Sequence, residues 1–131
     1  MEAAAKTILK DAARVVVWDD DDNVLYSDFQ ANPSELKAIT HVFGERDAAI
    51  KSGMVLGGTR FEVHRHHPPA VYGRTMGADP ETSEGAAVIR VQSGIGGKPC
   101  YAMITYQMPN ISARMVPLLQ AFCDTHVAAQ G

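Results

Sequence analysis

The chain has 131 residues, 46% apolar and 21% charged, with a net charge of −3. That length fits one compact domain, and that balance excludes both a disordered chain and a membrane-spanning one. Two cysteines, Cys100 and Cys123, are too few for a disulfide scaffold and read as buried thiols of an intracellular protein. The N-terminus carries Glu2 and no long apolar stretch, so it does not read as a secretory signal. Charge is uneven: residues 1–50 hold 5 Lys/Arg against 10 Asp/Glu, and residues 51–131 hold 7 against 5. The second stretch offers a basic face to an acidic partner. No Lys/Arg cluster is dense enough to suggest nucleic acid.

In chain order, the Ala-rich start through Ile8 and Leu9 favours a short helix. Arg14 to Trp18 is β-branched and reads as a buried strand, Asp19 to Asn23 as a turn, and Val24-Leu25-Tyr26 as the returning strand. Asn32-Pro33-Ser34-Glu35 is a helix start: Asn32 caps, Pro33 takes the first helical position, and Glu35 is placed to reach back as in a capping box. Leu36, Ile39 and Phe43 follow on one face, with Gly44 as the stop. Arg46 to Lys51 forms a second short helix ending at Gly53.

From Met54 the pattern changes to strands. Met54-Val55-Leu56 runs into the tight turn Gly57-Gly58. Phe61 and Val63 then alternate with Glu62 and His64. Pro68-Pro69 interrupts, and three more strands follow at Ala70–Tyr72, Ala87–Val91 and Cys100–Tyr106. Met76–Gly85 and Ser93–Pro99 read as loops. A last helix carries Met115, Leu118, Leu119 and Phe122 on one face, and Pro117 kinks it unless it sits in the first turn. Short connections imply a mostly antiparallel sheet, with helices available for both of its faces.

No catalytic constellation emerges. His64, His66 and His67 suggest zinc, but adjacent His66 and His67 point to opposite sides of a strand and Arg65 adds a repelling charge; a solvated strand end is the expectation. A calcium loop starting at Asp19 would need Gly and Glu where Val24 and Gln30 stand. Gly94-Ile95-Gly96-Gly97-Lys98-Pro99 lacks the spacing and the Ser/Thr of a phosphate loop. No general acid/base pair or nucleophile elbow is evident. The expectation is a binding protein without cofactor or metal.

The segment Gly53-Met54-Val55-Leu56-Gly57-Gly58-Thr59-Arg60-Phe61-Glu62-Val63 resembles the Gly-x-x-Leu-Gly-Gly-x-Lys-Tyr-x-Val segment of the profilin family. Asn32-Pro33-Ser34-Glu35-Leu36 upstream resembles that family's Pro-x-Glu helix. Pro69-Ala70-Val71-Tyr72-Gly73-Arg74 downstream resembles its Gly-Ala-Val-Ile-Arg-Gly strand. Tyr106-Gln107-Met108-Pro109 precedes the last helix as in plant-like members. The resemblance covers about residues 12–128 of a single domain. It implies an α/β fold of the α+β type: a central antiparallel sheet of about six strands, with the N- and C-terminal helices on one face and short helices on the other.

The resemblance also implies a function. Profilins bind monomeric actin in the cytoplasm and cytoskeleton and regulate its polymerisation, and they bind proline-rich segments and phosphoinositides. The implied actin contacts are Lys51, Arg60, Glu62, Val63, Arg65 and Arg74. Around the last helix they are Ile111, Ala113, Arg114, Val116, Pro117 and Ala121. On a regular strand Arg60 and Glu62 share one face, while Phe61, Val63 and Arg65 share the other, so only a bulge would gather the set. The last-helix polar contacts of the family fall on Val116 and Pro117 here. Its aromatic proline-binding cluster has no counterpart on the first helix and is reduced to Leu25, Tyr26 and His126. Proline-rich binding is therefore expected to be weak or absent. Arg60, Arg65, Arg74 and Arg90 are the available phosphoinositide contacts, and a monomer is expected. Two alternatives are a profilin-fold interaction platform that does not bind actin and a His-cluster metal-binding protein.

Overall fold

A computed structural model describes residues 1–75 and 83–128. Its order is α1 (Glu2–Ile8), β1 (Arg14–Asp19), β2 (Val24–Ser27), α2 (Pro33–Thr40), α3 (Arg46–Ser52), β3 (Met54–Leu56), β4 (Thr59–His67), β5 (Ala70–Arg74), β6 (Glu84–Val91), β7 (Cys100–Gln107) and α4 (Ser112–Phe122). A 3-10 turn at His41–Phe43 follows α2, and a π turn at Cys123–Val127 extends α4. The strands form one antiparallel sheet in the order β2-β1-β7-β6-β5-β4-β3. Of the loop expected over Met76–Gly85, residues 76–82 lie outside the described residues, and Glu84 and Gly85 already belong to β6.

The central strands β1, β6 and β7 are apolar on both sides because both faces are covered. On one face Val15, Val17, Ile89 and Ile104 pack against Ala5 of α1, Leu9 at its C-cap, and Met115, Leu119 and Phe122 of α4. On the other, Val16, Trp18, Val88 and Met103 pack against Leu36, Ile39 and Ala49 of α2 and α3. Trp18 is fully buried there, stacked on Tyr101 at 5.4 Å, with its indole N–H donating to the Thr40 hydroxyl at 3.0 Å. Each such large apolar side chain contributes roughly 1.5–3 kcal/mol by leaving water.

Local signals place the elements that frame the site. The Asn32 side chain accepts the Ser34 backbone N–H at 2.9 Å, and Pro33 begins α2. Glu35 does not close a capping box. Its carboxylate crosses to the β3–β4 turn and accepts the N–H groups of Gly57 and Gly58 at 2.8 and 3.0 Å. Both glycines hold positive φ, 59° and 81°, which directs successive N–H groups to one side as an anion-binding nest. Pro117 lies in the second turn of α4, and the helix continues through it to Phe122.

Candidate partner-binding face

The site is built on an irregularity in β4. Its pairing with β5 runs Glu62↔Arg74 and Val63↔Gly73, then skips His64 and resumes at Arg65↔Tyr72. The extra residue is a β-bulge, and it reverses the side-chain parity beyond it. Phe61 and Val63 point into the core beside α2 and α3, as does His66 after the bulge. Arg60, Glu62 and Arg65 therefore emerge together on the face where α1 and α4 pack. Tyr72 and Arg74 of β5 join them by ordinary alternation.

Within this face the charges are partly paired. The Arg60 Nε lies 3.3 Å from the Glu62 carboxylate, and its Nη2–H donates to the Lys51 carbonyl at 3.4 Å. Lys51 is thus brought to the edge of the same surface, at the end of α3. Arg65 donates to the Tyr72 hydroxyl at 3.0 Å, with its guanidinium 5.8 Å from the ring centroid. Arg74 donates to the Ser83 hydroxyl at 2.8 Å. Between these strands and α4 lies a groove of about 410 Å3, lined by Arg65, Tyr72, Ser112, Ala113, Val116 and Pro117. It has a cationic rim and a largely apolar floor, the usual make-up of a protein-docking surface.

The structure brings together Arg60, Glu62, Arg65, Arg74, Ala113, Val116 and Pro117, with Lys51 at the margin. Val63 is only 6% exposed and faces the opposite layer, so its side chain is not on this surface. Ile111 is 44% exposed at the N-cap of α4, and Ala121 is exposed further along that helix. Arg114 is engaged internally: its guanidinium reaches the Asp11 carboxylate at 2.5 Å and the Asn110 side-chain carbonyl at 2.6 Å. The hydrogen bond from Arg114 holds Asp11 below the usual carboxylate value. Tyr72 and Ser112 complete the groove and lie outside the set that the sequence implies. Tyr72 shares the strand parity of Arg74, which is the signal that marks it.

The other candidate groups disperse. Arg90 lies on the α2/α3 face beside Gln92, so the arginines that share a surface are Arg60, Arg65 and Arg74. The His66 ring Nε2–H donates to the Val42 carbonyl at 2.6 Å, while His64 and His67 are exposed; among the described residues no three His, Cys, Asp or Glu converge as a metal site. Tyr26 is half-buried against α1 and lines a depression of about 250 Å3 with Ala5, Leu9 and Val15. Leu25 is half-buried in the same layer, and His126 packs on Phe122 at 5.6 Å, away from that depression.

Residues 4–95, well over half of the chain, match the profilin family model. The chain belongs to the profilin family. Solved profilins share its fold. Schizosaccharomyces pombe profilin is 16% identical, with 93% of this chain and 92% of that one covered at a TM-score of 0.75. Acanthamoeba castellanii profilin II is 16% identical, with 88% and 85% covered at 0.72. LokiProfilin2, solved in a complex with rabbit actin, is 12% identical, with 94% and 92% covered at 0.68. A search of curated protein sequences gave no match. Profilins are not enzymes, and the family assignment gives this chain a non-catalytic role. The profilin family match ends at residue 95, before β7 and α4. The helix that carries Val116 and Pro117 thus lies outside it.

Proposed function

We propose that this chain binds monomeric actin through the surface formed by Arg60, Glu62, Arg65, Arg74 and the first turns of α4, and so regulates actin polymerisation in the cytoplasm. The observation that carries the reading is the bulge at His64, which puts Arg65 on the same face of the sheet as Arg60 and Glu62 and in the wall of the apolar groove. Arginines at the rim supply charge-assisted pairs to carboxylates, and the groove supplies apolar contact. The same three arginines are the basic surface offered to a phosphoinositide headgroup. Proline-rich binding is weak or lost, because Tyr26 stands without a second aromatic wall from α1.

The test is calorimetric titration into monomeric ATP-actin beside Arg60→Glu and Arg65→Glu. Saturable binding that each charge reversal weakens about tenfold or more supports the reading. Equal affinity of both variants would remove the face. A second reading, an interaction platform without actin affinity, is favoured by the pairing of Arg114 with Asp11, which withdraws a cation from α4. The absence of binding by the unaltered chain selects it.

A further inference from the structure

Beyond the actin face, part of the outer edge of β4 is left unpaired among the described residues. The short strand β3 pairs only with Thr59, Arg60 and Phe61, whereas β4 runs on to His67. The outer side of residues 62–67 therefore has no strand neighbour among the described residues. An edge of this kind presents alternating N–H and C=O groups to any extended chain laid beside it.

The space along that edge is a cavity of about 410 Å3 lined by Arg46, His64, Arg65, His66 and His67. Every lining residue is basic and none is an acid. Arg46 and Arg65 have no carboxylate within ion-pair distance among the described residues, whereas Arg60, Arg114 and Lys98 each have one. His66, 9% exposed, is held by the Val42 carbonyl, which fixes one wall.

We propose that this edge and Arg46 dock an extended acidic segment of a protein partner by strand addition. Charge selects the occupant. A second copy of this chain would bring the same basic edge against itself. An acidic strand places carboxylates beside Arg46 and Arg65 while its main chain pairs with β4. A small phosphate anion would use the donors and leave the edge carbonyls unpaired. Arg46 lies outside the actin face, so this docking is separable from the actin reading, although Arg65 borders both.

The experiment uses the whole chain and a capped, fluorescein-labelled peptide of alternating glutamate and valine, read by polarisation. Expected is saturable binding that Arg46→Glu weakens about tenfold while the actin titration is unchanged. N-methylation of alternate peptide amides should weaken it similarly, and amide NMR signals of His64 to His67 should shift. Three outcomes would overturn the proposal: no binding of the peptide, no effect of Arg46→Glu, or equal affinity for the N-methylated peptide. Tighter binding of inorganic tripolyphosphate than of the peptide would also overturn it and make the cavity an anion site. Loss of actin binding in Arg60→Glu alongside any of these leaves the actin reading standing.

Discussion

Gly73, paired with Val63 in the β4–β5 ladder, approaches the neighbouring Glu62 so closely that a Cβ at residue 73 would lie 1.8 Å from the Glu62 carbonyl oxygen. The contact sits one residue before the bulge and lets the two strands close on each other there. Gly73→Ala must push the strands apart. It is expected to cost about 1–3 kcal/mol or more in urea unfolding. Since the bulge sets the parity of Arg65, the same variant should weaken the actin binding proposed above. An unchanged unfolding midpoint would show that the strands separate freely.

Glu35 ties α2 to the β3–β4 turn through two main-chain N–H groups. Glu35→Gln keeps the shape but loses the charge that strengthens both bonds. A loss of about 1 kcal/mol in thermal or urea unfolding is expected. Hydrogen exchange at Gly57 and Gly58 should quicken in the variant; unchanged exchange there would mean that the nest does not need the carboxylate.

Asp19 gives a pH dependence of definite sign. Burial opposes its charge, but the backbone N–H and side-chain amide of Asn23, the backbone N–H of Asp21 and nearby Lys98 outweigh that and hold it below 3.8. A carboxylate depressed in the folded state stabilises fully above its unfolded value and loses this contribution as pH falls through the folded one. Asp19→Asn should therefore be less stable than the unaltered chain at about pH 6, and the difference should shrink as pH falls below the ordinary carboxylate range. Parallel stability curves across that range would contradict the assignment.

Both thiols should be silent in the folded protein. Burial pushes Cys123 up to about 12, with Asp124 adding to the shift, and burial also raises Cys100. The thiolate is the reacting form, so iodoacetamide at about pH 8 should label neither residue until urea is added. Rapid alkylation of Cys123 in native conditions would reveal opening at the end of α4.

What the sequence made legible was local. Asn32 and Pro33 announce α2, Gly57-Gly58 announces its turn, and the alternation in β4 places Phe61 and Val63 in the core. The features that build the site act at a distance. Nothing on β4 marks the bulge; its counterpart is Gly73 on the neighbouring strand, so strand parity alone assigned Arg65 to the face of Phe61 and Val63. Glu35 has a local partner available in a capping box and takes one 22 residues away instead. Arg114 reads as a free cation until Asp11, 103 residues earlier in the chain, is seen beside it.

The single tryptophan has an experimental consequence. Trp18 is sealed in the α2/α3 layer, with its ring on Tyr101 and its N–H on Thr40, while the groove beside α4 lies on the other side of the sheet. Its emission should be blue-shifted in the native protein and should follow unfolding closely. It should be almost blind to a ligand on the helical face. Intrinsic fluorescence is thus a clean optical gauge of stability in this chain, and measurements of association need a dye or a calorimeter.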